Sequence, residues 1–165
     1  MRKSLLLIIL TVVVLACKKD EQLKTEPVNH FNATKNEKPW KTTGGVLLFE
    51  ENFVISATKV GSALNESVLI EFNRSDISSS GDIPNFNADF HYIVDGNDQI
   101  VKNYTTSIAD QKNYLKITKI DTLKRTIEGK FSLHFKIEPH YNTTDFEEFV
   151  VLENGHFNMP YHKEQ

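Results

Sequence analysis

The chain reads as an all-β protein, an antiparallel β-sandwich of eight or nine strands behind an N-terminal leader and tether. Three observations lead there. Apolar and polar residues alternate with period two in several runs beyond residue 30. No segment in that region keeps a helical period. Turn-forming residues interrupt the alternation at roughly 8–12-residue intervals, the spacing of sandwich or barrel strands.

In chain order, Gly44-Gly45 stands as a turn signal before a strand over residues 46–49. Glu50-Glu51-Asn52 then separates it from a strand over 53–60, which predicts a hairpin. There Phe53, Ile55 and Ala57 take one face, and Val54, Ser56 and Thr58 the other. Val68, Ile70 and Phe72 alternate with Leu69 and Glu71. A loop follows at Ser78-Ser79-Ser80-Gly81-Asp82, and Pro84 bars a central strand there. Phe86, Ala88, Phe90, Tyr92 and Val94 face inward in the next run, with Asn87, Asp89 and His91 outward. Asp95-Gly96-Asn97-Asp98 is a turn. The clearest run is 130–137, where Phe131, Leu133, Phe135 and Ile137 alternate with Lys130, Ser132, His134 and Lys136. Asn154-Gly155 is a type I′ hairpin signal between strands at 150–152 and 156–159. One dry and one wet face per strand is the pattern of antiparallel sheets packed on one side, an immunoglobulin-like or related sandwich.

The N-terminal segment has a different character. Met1-Arg2-Lys3 is basic, and residues 5–16 hold 11 apolar residues out of 12. That length suits a secretory leader; a membrane-spanning helix needs roughly 20 apolar residues. Lys18, Lys19, Asp20 and Glu21 end the run, and no second apolar run follows. Removal of 16 of the 165 residues leaves 149. Arg2 and Lys3 leave with them, so the formal charge moves from −3 to −5. Such a chain has no electrostatic reason to seek nucleic acid. The single cysteine, Cys17, excludes a disulfide scaffold and a cysteine zinc cluster.

Val14-Leu15-Ala16-Cys17 resembles the lipobox of bacterial lipoproteins. The resemblance implies cleavage after Ala16, a lipid on the Cys17 thiol and membrane anchoring through acyl chains, each buried CH₂ contributing about 0.8 kcal/mol. Leu15 is bulkier than the residue usual two places before the cysteine. Lys19-Asp20-Glu21 resembles the surface-export signal of Bacteroidota lipoproteins, which implies the outward-facing leaflet of the outer membrane. Without that resemblance, the same residues make a solvated tether. Residues 17–30 carry no core face, and such a tether holds the body roughly 20 Å from the bilayer.

A second resemblance covers most of residues 31–158. It rests on Phe31-Asn32-Ala33, Trp40, Leu115-Lys116-Ile117-Thr118, Asp121, Ile127-Glu128-Gly129-Lys130-Phe131 and Asn154-Gly155-His156-Phe157. These motifs look like an uncharacterised group of Bacteroidota lipoproteins with a β-sandwich body. The resemblance implies a fold and no activity. It implies core packing for Trp40 and backbone-geometry roles for Gly129 and Gly155.

The residues that carry chemistry form no recognisable constellation. His30, His91, His134, His140, His156 and His162 include no metal-binding spacing, and no metal or cofactor is expected. Asp82 and the turn at 95–98 offer oxygen ligands, but no calcium-loop pattern. No nucleophile elbow or phosphate-cradling glycine loop is present, so no catalytic residue is assigned. Glu147-Glu148, placed on a strand, would point to opposite faces. Tyr104, Tyr114, Tyr141 and Tyr161 fall outside the alternating sets and are candidates for stacking on a sugar or a protein partner. Asp121-Thr122-Leu123 resembles the Bacteroidota O-glycosylation site, which makes Thr122 a candidate acceptor. A turn is the plainer meaning of the same residues. Asn-x-Ser/Thr at Asn32, Asn65, Asn103 and Asn142 reads as polar β-surface. The function expected is a lipid-anchored, surface-exposed, non-catalytic binding or structural module for a glycan or protein. The alternative is an envelope hydrolase assembled from separate strands.

Overall fold

The computed structural model describes residues 29–96, 98–106, 113–140 and 145–163. The leader, Cys17, Lys19, Asp20, Glu21, Asn97, Tyr141 and Asn142 lie outside them. The described chain is all β apart from one short 3₁₀ turn at Arg74–Asp76. Its nine strands are β1 (His30–Lys35), β2 (Lys38–Phe49), β3 (Asn52–Lys59), β4 (Leu64–Asn73), β5 (Asn87–Val94), β6 (Ile100–Thr106), β7 (Tyr114–Asp121), β8 (Thr126–Ile137) and β9 (Phe149–Lys163). His30, given to the tether on sequence, opens the first strand.

All nine belong to one sheet, in the order β1-β9-β2-β3-β4-β5-β6-β8-β7. Additional pairings join β1 to β2 and β9 to β8. The ladder therefore runs from β2 through β3, β4, β5, β6, β8 and β9 and returns to β2. The two layers expected of a sandwich are opposite walls of this one closed sheet. Closure pairs most of the edges that a two-sheet stack would expose. β1 is a wedge: it pairs antiparallel with both β9 and β2, and past its start those two meet directly as a parallel pair at Val46↔Tyr161. That pair departs from the all-antiparallel expectation. β7 branches from the first part of β8, while β6 takes the last part of the same edge. The outer side of β7 is covered by the 78–83 loop, where the Ile83 N–H donates to Leu115 O (2.9 Å) and the Ile117 N–H to Gly81 O (2.8 Å).

Inward residues from every strand fill a single core. The alternating sets at Phe53/Ile55/Ala57, Val68/Ile70/Phe72 and Phe131/Leu133/Phe135/Ile137 are buried as read, and so is Trp40. Phe31 packs edge-on to Trp40 at 5.5 Å and lies 4.6 Å from Phe131.

Three local readings are corrected. Gly44-Gly45 is not a turn but part of β2, paired with Ala57 and Ser56. A Cβ on Gly44 would stand 2.1 Å from the Ser56 carbonyl oxygen, so the glycine permits a close strand approach. Asn154-Gly155 is not a hairpin either. Both lie inside β9, at a register shift that sets residues 131 and 133 of β8 against 155 and 152. Asn154 supplies the left-handed residue of this bulge (φ 52). The extra residue changes parity: Val150 and Leu152 point inward before it, and Phe157, Met159 and Tyr161 after it. Gly129 and Gly155 have no left-handed backbone. Their role is space, because a Cβ on either would strike the ring of Phe157 or Phe131.

The chain crosses from β1 to β2 through Asn36 (φ 44) and Glu37 (φ 67), a two-residue turn of type I′ character that the sequence reading did not identify.

Candidate functional site

The outer faces of β7, β8, β9 and β1 form a polar platform whose order is set by register. Lys116 pairs with Lys130, Lys130 with His156, and His156 with Asn32, one row across four strands. The next row runs Lys119, Glu128, Asn158, His30. Tyr114 pairs with Ser132 on the other side of the lysine row. Lys116, Lys130 and His156 point outward because Leu115, Ile117, Phe131 and Phe157 beside them point into the core, whereas His30 is buried and Lys119 follows a register shift in β7. The curved sheet leaves a groove of about 870 Å³ over these rows, lined by Tyr114, Glu128, Lys130, His156 and Asn158 among others.

Most charges on the platform are matched. Lys119 Nζ lies 3.8 Å from Glu128, and Lys116 Nζ lies 3.2 Å from Asp82. The Ser80 hydroxyl, and after it Lys116, hold the Asp82 carboxyl below its ordinary range. Lys130 is exposed and has no acid within ion-pair distance among the described residues. Tyr114 is 46% exposed at the end of the groove. The rings of His30 and His156 meet edge-on at 5.1 Å. Asn32 Nδ2 lies 3.2 Å from His156 Nε2. An amide nitrogen only donates, so in this contact Nε2 is the acceptor. Asn158 Oδ1, like Asn103 Oδ1 elsewhere in the barrel, is buried with no hydrogen-bond partner among the described residues. An orphan acceptor of this kind costs about 1–3 kcal/mol.

A second polar cluster closes one end of the barrel from inside. Lys35 Nζ donates to Glu66 Oε1 and, at 3.1 Å, to the Tyr92 hydroxyl. Trp40 Nε1 donates to Glu66 Oε2 at 2.5 Å. The Lys35 ammonium also lies 5.2 Å and 5.1 Å from the ring centres of Phe90 and Tyr92. Burial, then the charges of Glu66 and Glu147, pushes the Tyr92 hydroxyl up to about 12. Every polar group here has its partner within the cluster, so its chemistry is that of a plug. A smaller hollow of about 540 Å³ lies on the outer face of β3, β4 and β5, lined by Asn52, Asn73, Asn85, Asn87 and Phe49.

The sequence candidates distribute unevenly over this surface. Of the six histidines, His30 and His156 come together, although they are far apart in the chain. His134 lies on the outer face of β8, and His140 follows the strand's end at Ile137. Among the described residues no three His, Cys, Asp or Glu side chains gather as a metal site would require. Tyr104 is a core residue, not a surface one: its inward position opposite Phe90 buries the ring, and its hydroxyl donates to Glu147 O at 2.9 Å. Tyr161 is likewise buried, edge-on to Phe53. Glu147 and Glu148 precede β9 instead of lying on it, and serve different partners, Asn36 and Lys136. Thr122 is exposed in the β7–β8 turn. Asp121 Oδ1 organises that turn by accepting the N–H groups of Leu123 (3.1 Å) and Lys124 (2.9 Å).

The sequence marks Tyr114 and His156 as candidates but carries no sign that Lys130, Glu128 and Asn158 are their companions. Polar residues on a wet face carry no local mark of function. Compared with known family models, curated proteins and solved structures, the chain matches none.

Proposed function

We propose that this is a lipid-anchored cell-envelope protein whose barrel is a non-catalytic binding module, with the β7–β8–β9–β1 platform as its contact surface. One observation carries the binding part: a polar groove with an exposed tyrosine at its end and a lysine, Lys130, that has no acid within ion-pair distance among the described residues. Stacking area beside directional polar groups is what recognition of a hydrated ligand needs. The anchoring part rests on Cys17 and the apolar run before it, and outward display on Lys19, Asp20 and Glu21. Thr122 is proposed as an O-glycan acceptor, supported by its exposed turn.

The decisive experiment presents the purified chain to glycan and peptide arrays and, in parallel, to a panel of hydrolase substrates. Saturable binding lost on Tyr114→Ala, with no turnover, supports the reading. Turnover would replace it with the envelope-hydrolase alternative. For the anchor, Cys17→Ala is expected to abolish labelled-palmitate incorporation and release the protein from membranes; label retained in that variant refutes the assignment. Alanine at Lys19, Asp20 and Glu21 is expected to remove protease accessibility on intact cells. Unchanged accessibility counts against an export role.

A further inference from the structure

The platform is a binding surface only on the reading above, and the following inference deepens that reading by naming a ligand class. Lysines directly opposite one another on one sheet face repel. Lys116 and Lys130 are so placed, and Asp82 neutralises the first alone. Although the whole chain carries a formal charge of −3, the groove is lined by Lys119, Lys124 and Lys130 against Asp121 and Glu128, and the Lys130 ammonium has no acid within ion-pair distance among the described residues.

The groups around that ammonium narrow the choice of anion. Tyr114 lies two residues from Lys116 on the same face of β7, about 7 Å along the strand. The tyrosine and the lysine row are thus one sugar residue apart. Among the groove's lining residues the cationic side chains are lysines, point charges without the planar fork that favours bidentate phosphate.

We infer that the groove takes an acidic saccharide, with a uronate-type carboxylate on the Lys130 ammonium and the sugar ring against Tyr114.

The test is calorimetric titration of the full chain with tetragalacturonate and, as the neutral counterpart, cellotetraose, at low and high salt. Tetragalacturonate is expected to bind and to weaken as salt rises. Lys130→Gln is expected to lose roughly tenfold or more in affinity, the loss of one charge-assisted hydrogen bond. Lys38→Gln, exposed at the start of β2, is expected to bind as the parent does. Thermal melting of each variant checks that the fold is intact. Equal or tighter binding of cellotetraose, or an unchanged affinity in folded Lys130→Gln, overturns the acidic-sugar inference and leaves the binding-module reading in place. Peptide hits on the arrays with no saccharide binding do the same. An array empty of both saccharides and peptides overturns the reading itself.

Discussion

Phe131 and Gly155 stand opposite each other across the β8–β9 ladder, and the Phe131 ring occupies the space that any side chain on Gly155 would need. The arrangement is reciprocal. Phe157 covers Gly129 two residues away, and the two rings lie 6.4 Å apart. Phe31 from β1 packs against both. Each glycine thus lets an aromatic ring lie flat on the sheet, where it shields the backbone and fills the core.

Gly155→Ala is therefore expected to destabilise the fold by about 1–3 kcal/mol through overpacking. The added carbon would lie 2.3 Å from a Phe131 ring carbon that the surrounding core holds in place. Phe131→Leu in the same chain is expected to relieve part of the clash. Urea denaturation of the two singles and the double would reveal it as coupling between the sites. Strictly additive losses would contradict the packing account.

Asn154 is the next test, because the bulge needs its left-handed backbone (φ 52). Asn154→Val is expected to cost about 1–2 kcal/mol, since a Cβ-branched residue resists that conformation. Asn154→Gly is expected to be nearly neutral. Equal losses for both would show that the asparagine side chain, not the backbone, matters there.

The Lys35–Glu66 pair is largely shielded, with 15% and 21% of the two side chains exposed. Glu66→Ala removes the counter-charge of Lys35 and the acceptor of Trp40 Nε1 together. A loss of about 3 kcal/mol or more is expected, because an ammonium is left among aromatic rings. Adding Lys35→Met is expected to recover much of that loss. Chemical denaturation of both variants checks the order: a double variant less stable than the single would refute it.

Alkaline stability follows from two tyrosines. Burial foremost raises Tyr92 and Tyr104 from 10.0 to about 12. The folded protein therefore favours the protonated phenols. Their contribution is complete below pH 10 and is lost as pH rises from there through about 12. Denaturation midpoints are expected to fall steeply over that window, and less steeply in Tyr104→Phe. A flat profile in the parent would rule the coupling out.

What could be read in advance follows from the range of each interaction. In β3, β4 and β8, alternation alone names the buried residues, because a strand's two faces are a local property of its sequence. The Glu50-Glu51 hairpin is legible for the same reason. The Asn154-Gly155 signal reads as a hairpin because a bulge and a hairpin turn draw on the same backbone chemistry. Which one forms depends on whether the chain continues along its neighbour or turns back, and β8 decides that by pairing on both sides of the bulge. Tyr104 was unreadable because β6, Ile-Val-Lys-Asn-Tyr-Thr-Thr, lacks clean alternation. Its burial comes from Phe90 and the 145–148 segment.

The amino-acid order by itself therefore determined an all-β body, most of its inward residues and several of its turns, since all of these arise from neighbours a few residues apart. Only the tertiary structure decided that the sheet closes into one wall through β8–β9 and the β1 wedge. It alone also decided that Lys130, His156, Asn158 and Tyr114 share a groove. Those outcomes depend on register between strands distant in the chain, where shifting one strand by a single residue would send its whole row to the other face.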